Sequence, residues 1–387
     1  MKQVSQSPTD PGFVQDPYPF YAQCRATADI VYWTDYRMAC ATSHVAVEAA
    51  LRHPRMGREC PAELAPTHAA HTQPFYDIEA HSMLELEPPR HTRLRKLVLH
   101  GFTSPKIKGL QADIEALCHR LIDNFPSGDF DLLQHYGQRV PVIVITRLLG
   151  LEEAMADQLL KWSNAMVAMY QATRSRAVEE TAAQASTDFA AFVRSEITRK
   201  RAAPADDLIS HLIAAEDNGD RLSEAELITT CILLLNAGHE ATVHTLGNGV
   251  RTLLAHKMPK IDALCVEEIL RFDPPLHMFT RYVYEDLTFF GEPLKRGDQI
   301  ACLLGSANRD ATVYSDPDRF LPNRIAKRNT AFGGGIHFCV GAPLARLELL
   351  IGLRILLERC PNLSLAQPPR YANIYHFHGL ERLMVRR

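Results

Sequence analysis

One cysteine near the C-terminal end lies in a setting that favours the thiolate form. Cys339 follows the glycine run Gly333–Gly335 and comes two residues before Gly341, after which a helical pattern begins. Glycine tolerates positive φ, so this backbone can approach a flat partner closely. The free N–H groups and the dipole at a helix N-terminus stabilise an anion and lower the pKa of a thiol. A thiolate beside such a glycine platform is the axial ligand that an iron porphyrin requires.

Two other interpretations explain less of this pattern. A lone cysteine is most often a buried structural residue, but that role leaves the glycines and the nearby His337 unexplained. A zinc site would need further ligands, and His337 with Cys339 has no second pair at finger-like spacing. The pattern therefore favours an iron ligand.

A long apolar helix carries a second group of residues suited to chemistry. Ala237 and Gly238 lie in its middle, where glycine costs about 1 kcal/mol relative to alanine, so a flat group is expected to pack there. Glu240 and Thr242 follow, and an acid two residues from a hydroxyl can supply protons to a buried centre. Ser223 begins a capping box, which predicts that this helix runs from there to about residue 254.

The other predicted elements position cationic groups. His91 and Arg95 are four residues apart in a predicted helix and so share one face, which suits the two carboxylates of a porphyrin. The alternative for such a run is a solvated basic helix. Strand alternation after Leu276 is expected to place Arg281 on the same side as Phe279 and as the histidine two residues earlier, His277.

The cysteine loop resembles the haem-binding loop of the cytochrome P-450 superfamily. The family pattern is Phe-x-x-Gly-x-His/Arg-x-Cys-x-Gly, and Phe332, Gly335, His337, Cys339 and Gly341 match every position. A pattern of this length is a specific signal. The remaining motifs occur in the same order as in the family, so the resemblance extends over essentially all 387 residues.

The long helix resembles the family's Ala-Gly-x-Asp/Glu-Thr motif, with one departure. Ala237, Gly238 and Glu240 match, but Ala241 occupies the threonine position and Thr242 comes one residue later. In the family that threonine assists proton delivery during oxygen activation. We therefore assign the proton relay to Glu240, with Thr242 as a second candidate that is rotated by one helix step. A substrate hydroxyl or an ordered water is an alternative source of the missing hydrogen bond.

The resemblance implies a fold, a cofactor and roles for further residues. The expected fold is mainly α with smaller β-sheets (α+β), a triangular helical prism with haem b between the long central helix and the cysteine-loop helix. Cys339 would be the axial iron ligand. The expected haem contacts are the propionate partners His91, Arg95, Arg281 and His337, together with Phe332, Gly341, Ala237 and Gly238.

The resemblance also implies structural and substrate-binding residues. Glu268 and Arg271 match a buried structural pair, completed by either Arg319 or Arg324. The irregular stretch 53–89 is predicted to be a loop that lines the substrate pocket, the alternative being a solvated surface loop. The predicted pocket residues are Met83, Leu84, Leu234, Leu235, Ala241, Leu276, Met278 and Phe279.

Composition limits the class of protein. The net charge of −3 gives no basic excess for nucleic acid, and the apolar runs are far shorter than the ~18 residues that span a membrane. The N-terminal residues lack the apolar core of a signal peptide, and nine irregularly spaced cysteines indicate reduced thiols. We expect a monomeric cytoplasmic protein with one catalytic domain over 1–387 and no fused reductase.

The implied activity is that of a haem-thiolate monooxygenase. It would insert one oxygen atom from dioxygen into an apolar small molecule, with electrons from a separate ferredoxin and its reductase. A basic docking face is predicted from Arg93, Lys96, Lys327, Arg328 and Arg346, the alternative being ordinary solvated charges. Two other functions remain open. One is an enzyme of the same fold that uses peroxide or performs dehydration or coupling, although Glu240 argues against peroxide use. The other is a non-catalytic haem sensor.

Overall fold

The computed structural model describes residues 1–102, 104–171, 174–217, 219–256, 260–325 and 328–387. Its chain forms two compact units. The first unit comprises Met1–Leu64, Glu115–Gly137 and Ala241–Arg387, and the second comprises Ala65–Ile114 and Gln138–Glu240. Lys327, predicted for the docking face, lies outside the described residues.

Helices account for most of the regular structure. The α-helices are α1 Pro11–Gln15, α2 Tyr18–Thr27, α3 His44–Arg52, α4 Gln73–Glu79, α5 Arg90–Gly101, α6 Ser104–Gly109, α7 Gln111–Asp123, α8 Arg139–Leu148, α9 Ala156–Val167, α10 Arg176–Ala202, α11 Leu208–Ala214, α12 Glu224–His256, α13 Ala263–Phe272, α14 Leu304–Ala307 and α15 Ala342–Arg359. Within the described ranges, no helix is both long enough and apolar enough to cross a membrane.

The strands are short. They are β1 Lys2–Val4, β2 Ile30–Trp33, β3 Met38–Ala41, β4 Met56–Gly57, β5 Phe130–Asp131, β6 Glu216–Asp217, β7 Asp220–Arg221, β8 Met278–Val283, β9 Leu287–Phe289, β10 Glu292–Leu294, β11 Gln299–Leu303, β12 Ser364–Leu365, β13 Arg370–Tyr371, β14 Leu380–Arg382 and β15 Met384–Arg386. The prediction of a mainly α protein with smaller sheets is confirmed.

The main sheet of the first unit has the order β1-β2-β3-β11-β8-β4. It is mixed: β1 with β2 and β3 with β11 are parallel pairs, and the other pairs are antiparallel. Alternate residues of β11 face two different apolar clusters, since Cys302 packs with Leu51 of α3 and Ala301 packs with Tyr21 of α2. Strand β11, in the interior of this sheet, is therefore buried on both faces.

The start of α12 confirms the predicted capping box. The Ser223 N–H donates to Glu226 Oε2 at 2.8 Å, and the Glu226 N–H donates to Ser223 Oγ at 3.3 Å. The prediction that 53–89 is irregular throughout is wrong, because Gln73–Glu79 forms α4. This helix has Pro74 in its first turn and buries Phe75 and Ile78. It is too short for an apolar periodicity to be recognised in the sequence.

Candidate active site

The cysteine loop depends on its glycines. Gly333 and Gly335 have φ values of 67° and 68°, which other residues rarely adopt. A Cβ atom on Gly335 would lie 2.5 Å from the carbonyl oxygen of Leu51, so the loop passes too close to α3 for any side chain. The Cys339 N–H donates to the Phe332 carbonyl oxygen at 3.1 Å and closes the loop just before α15.

Cys339 differs from the other cysteines in its exposure. The structure describes all nine cysteines, none in a disulfide, and Cys339 is the exposed one. Burial raises the pKa of the Cys24 and Cys231 thiols to about 12, so these stay protonated at neutral pH. An exposed thiol at the start of a helix is the one suited to deprotonation and metal binding.

Two arginines add positive charge to the cysteine loop. The Arg328 guanidinium lies 3.8 Å from the centroid of the Phe338 ring, and that of Arg346 lies 4.5 Å from the Phe332 centroid. These distances are within the range of cation–π contacts. Arg346 also pairs with Glu267, so that part of its charge is neutralised. Together these contacts fix the two aromatic rings that flank the glycines.

Strand β8 carries Arg281 and also Phe279, which contacts the cysteine loop. Arg281 is 2% exposed, and its Nη1 donates to the Thr280 carbonyl oxygen at 2.9 Å. Phe279 is on the same face of β8, and a Cβ atom on Gly333 would be 3.0 Å from its ring. The expectation that His277 shares this side is wrong: it precedes the strand and hydrogen-bonds to Tyr21 at 3.1 Å.

Arg58 is a cationic residue that the sequence interpretation missed. Burial raises the pKa of the Cys302 thiol to about 11, and the charges of Arg281 and Arg58 act in the opposite direction. Both guanidinium groups therefore lie near this thiol. Arg58 also lies 6.0 Å from the centroid of the Phe279 ring. It follows β4, and only the pairing of β4 with β8 brings it close to Phe279, so the sequence alone carried no signal for it.

The predicted structural pair is fully buried and has a third member. Arg271 Nε and Nη2 donate to Glu268 at 2.7 and 2.8 Å. Arg324 Nε donates to Glu268 Oε2 at 3.1 Å, whereas Arg319 contributes its carbonyl oxygen to Arg271 at 3.1 Å. The choice that the sequence left open is thus resolved in favour of Arg324.

In the second unit, α12 presents small residues and an acid. Ala237 is exposed and Gly238 is half-buried, whereas Leu234 and Leu235 are buried. His239 is fully buried, and its Nδ1 is 2.8 Å from the Leu235 carbonyl oxygen.

Two of the four predicted propionate partners and two predicted pocket residues also belong to this unit. His91 is buried near the start of α5, and Arg95 is half-buried on the same face of that helix. Met83 and Leu84, predicted for the pocket, are half-buried.

In the first unit, where α12 continues, Ala241 and Thr242 differ in their exposure to solvent. Ala241 is partly exposed, and its carbonyl oxygen accepts a hydrogen bond from the Thr245 hydroxyl at 2.7 Å. Thr242 is only 4% exposed. Thr242 is therefore buried, whereas Ala241, one residue earlier in the helix, is partly exposed.

The remaining pocket predictions differ in their surroundings. Leu276 and Phe279 are partly buried against the cluster that contains Leu51 and Cys302. Met278 is 3% exposed and packs in the aromatic cluster with Tyr21, on the opposite face of β8. Of these predicted pocket residues, Phe279 therefore has its side chain next to the cysteine loop, and Met278 does not.

The donor set fits a haem. The first unit contains an exposed thiol at a helix start and a loop that excludes Cβ atoms at Gly335. It also contains the buried guanidinium of Arg281, on the strand whose Phe279 contacts this loop. His337 lies in the short 3-10 helix Gly335–His337 of the same loop. A thiolate suits iron and the cationic group suits a haem carboxylate.

Known proteins share this sequence and fold. The family model described as Cytochrome P450 matches residues 254–369. The polyketide biosynthesis cytochrome P450 PksS of Bacillus subtilis (strain 168) is 39% identical over 80% of this chain and 78% of its own length. The vitamin D(3) 25-hydroxylase of Pseudonocardia autotrophica is 36% identical over 92% of this chain and 89% of its own. The structure of P450BioI in complex with a hexadec-9Z-enoic acid-ligated acyl carrier protein gives a TM-score of 0.90 at 31% identity, covering 97% of this chain and 99% of that one.

These likenesses define the class of protein, and the chain belongs to the cytochrome P450 family. It is a cytochrome P450 monooxygenase, an oxidoreductase, and it has the P450 fold. Its cofactor is haem b, which this family holds through a cysteine thiolate.

Proposed function

We propose that this P450 hydroxylates an apolar small molecule with dioxygen, using electrons from a separate ferredoxin and its reductase in the cytoplasm. The observation that carries the proposal is the exposed Cys339 at the start of α15, in a loop whose glycines exclude side chains. It is supported by Glu240, a half-buried acid in the middle of α12.

We assign the haem contacts as follows. Cys339 would supply the thiolate to the iron, and Phe332, Gly341, Ala237 and Gly238 would contact the haem. His91, Arg95, Arg281 and His337 would bind its carboxylates.

Bound haem supplies the activation of dioxygen and the cleavage of the O–O bond. The protein's residues supply placement and protons. Glu240 holds the proton that the reaction consumes, and Thr242 is the second candidate for that role. Because Thr242 is buried and Ala241 has no hydroxyl, the substrate or a water provides the hydrogen bond at that position. The apolar side chains that orient the substrate and exclude water are Met83, Leu84, Leu234, Leu235, Ala241, Leu276 and Phe279. Met278, predicted for the same pocket, is left out because it packs in the aromatic cluster on the opposite face of β8.

The proposed substrate class is an apolar molecule of the size of a sterol, a macrolide precursor or a long acyl chain. The printed names of the relatives include a polyketide biosynthesis enzyme and a vitamin D(3) hydroxylase, and one structural relative is bound to an acylated carrier protein. A panel of a sterol, a macrolide aglycone, a fatty acid and an acyl carrier protein conjugate, read by the shift of the Soret band, tests this class.

The proposed docking of ferredoxin relies on fewer residues than predicted. Arg93 pairs with Asp220 at 3.3 Å and with Glu226, and Arg346 pairs with Glu267, so these charges are largely used within the chain. Arg328 is exposed beside the cysteine loop, and we propose it as the principal docking cation.

One experiment tests the function. The reduced, carbon monoxide-treated protein should show the red-shifted Soret band of thiolate ligation, Cys339→Ala should abolish it, and Cys60→Ala should retain it. Product should then form with ferredoxin, its reductase and NAD(P)H. A wild-type protein with an unshifted band, or one that turns over only with hydrogen peroxide, would contradict the proposal.

A further inference from the structure

We propose that His239 shares a proton with Glu240 and is the positioning residue for this acid. The inference rests on the proposed function, because it assumes that Glu240 delivers protons during oxygen activation. His239 belongs to none of the sets assigned above, and it acts through Glu240 rather than by contact with substrate or haem.

The tautomer of His239 follows from its hydrogen bond within α12. Its Nδ1 lies 2.8 Å from the carbonyl oxygen of Leu235. A carbonyl oxygen only accepts, so Nδ1 must carry a hydrogen. The ring is 0% exposed and is held in this orientation by the helix. Nε2 is therefore the nitrogen that changes its protonation state.

Nε2 faces the acid. It lies 3.5 Å from Glu240 Oε2, and the Glu240 side chain is 23% exposed. Successive residues of a helix do not normally face each other, so the Glu240 side chain must bend towards His239 to make this contact. The distance is long for a hydrogen bond, as is common at catalytic groups before substrate binds.

This contact requires a proton. A neutral imidazole with hydrogen on Nδ1 offers only a lone pair at Nε2, and an ionised carboxylate offers only lone pairs. Two acceptors facing each other beside a fully buried ring would repel. One proton between Nε2 and Oε2 removes this repulsion, whether it is held as imidazolium with carboxylate or as imidazole with carboxylic acid.

The shared proton gives Glu240 a local source of protons. Hydroxylation consumes one substrate, one dioxygen, two protons and two electrons from ferredoxin, and yields an alcohol and water. If protons do not arrive in the correct place, the same dioxygen, protons and electrons leave as hydrogen peroxide. Because Ala241 provides no hydroxyl, this chain depends on the His239–Glu240 pair for orderly delivery.

Two substitutions distinguish the role of Nδ1 of the His239 ring from the role of Nε2. His239→Asn keeps an N–H near the Nδ1 position, where it can still donate to Leu235, and removes the group that faces Glu240. His239→Gln places an amide near the Nε2 position, but this amide cannot bind an extra proton. We expect both to lower product per NAD(P)H at least about tenfold, a small part of the ~10²–10⁴ that a positioned acid contributes. Hydrogen peroxide should rise accordingly. The Soret band with carbon monoxide and the substrate-induced Soret shift should be retained.

A double-mutant cycle with Glu240→Gln tests the coupling directly. His239→Asn should have no further effect on product yield in the Glu240→Gln background, and the two changes should be non-additive in urea unfolding of the same proteins. Additive effects in both measurements, or full coupling efficiency in His239→Gln, would overturn the inference and leave the proposed function intact. A wild-type protein without ferredoxin-driven product would instead contradict the proposed function.

Discussion

Arg324 Nε lies 3.1 Å from Oε2 of Glu268, a carboxylate that already accepts two hydrogen bonds from Arg271. The side chain of Glu268 is 1% exposed and that of Arg324 is 6% exposed. Glu268 also accepts the Leu321 N–H at 2.8 Å, so the carboxylate connects α13 to the segment before the cysteine loop. A buried carboxylate with two guanidinium partners thus holds the segment that leads to the cysteine loop.

Replacement of Arg324 by methionine should destabilise the protein. Removing the sole partner of a buried charge typically costs about 3–5 kcal/mol. Because Glu268 keeps its pair with Arg271, we expect the loss of Arg324 to cost less than this range. We expect the midpoint of urea unfolding to fall, with loss of haem at lower urea concentration than in the wild type.

Arg319→Met is the matched control for this change. Arg319 is exposed and contributes to the network through its backbone carbonyl, which the substitution leaves in place. Its effect on unfolding should be within about 0.5 kcal/mol. Equal effects of the two substitutions would contradict the role given to Arg324.

The sequence predicted those parts of the site that local chemistry determines. The Ser223 capping box fixes the start of α12 through contacts within one turn, and glycine is the residue type that permits the positive φ of Gly333 and Gly335. Such features depend on neighbours in the chain. They can therefore be predicted from the sequence without knowledge of the fold.

Features that depend on distant contacts were not readable. The choice between Arg319 and Arg324 depends on the path of the segment around Glu268, and both residues have the same side chain. The place of Arg58 depends on the pairing of β4 with β8. The burial of Met278 depends on which face of β8 meets the aromatic cluster. In each case tertiary packing decided among residues that are equivalent by type.

Gly335→Ala should impair haem binding. The residue has φ 68°, and an added Cβ atom would lie 2.5 Å from the Leu51 carbonyl oxygen, so the loop must move. Left-handed backbone alone costs about 1–2 kcal/mol for a residue with Cβ. We expect a lower haem content after purification and a lower thermal midpoint.

Gly291→Ala is the control for the backbone effect. Gly291 has φ 80°, but among the described residues, apart from its two chain neighbours, no atom lies within 4 Å of its would-be Cβ atom. This variant should lose a similar amount of backbone stability and keep its haem. If Gly335→Ala retains full haem content, the close approach of the loop to α3 is not required for the cofactor.

Ala241→Thr and Thr242→Val test which position of α12 can supply a hydroxyl for proton delivery. Restoring a hydroxyl at the partly exposed position should raise product per NAD(P)H by up to about tenfold, within the range of general acid catalysis. Thr242→Val should change coupling little, because that side chain is 4% exposed and valine has a similar volume. Product and hydrogen peroxide, both measured per NAD(P)H, give the result. A strong loss of coupling in Thr242→Val would show that Thr242 itself takes part in the relay.

Glu348 should make the stability of the protein fall with rising pH. It is 1% exposed in α15, and burial raises the pKa of its carboxyl to about 8 from an ordinary value of 4.5. Between these two values the folded state holds a proton that the unfolded state releases. The free energy of unfolding therefore decreases as pH rises through this window, by up to about 1.4 kcal/mol per pH unit from this group. Below about pH 4.5 both states are protonated, so this group no longer makes the free energy of unfolding depend on pH.

Glu348→Gln isolates this contribution, because glutamine keeps the shape of the protonated acid and does not titrate. Urea unfolding of the two proteins at several values between pH 5 and pH 8 should show the difference in unfolding free energy moving steadily in favour of the variant. The slope should level off above about pH 8, where the folded protein also releases the proton. A constant difference across this range would mean that Glu348 is ionised in the folded protein, and a buried partner would then have to compensate its charge.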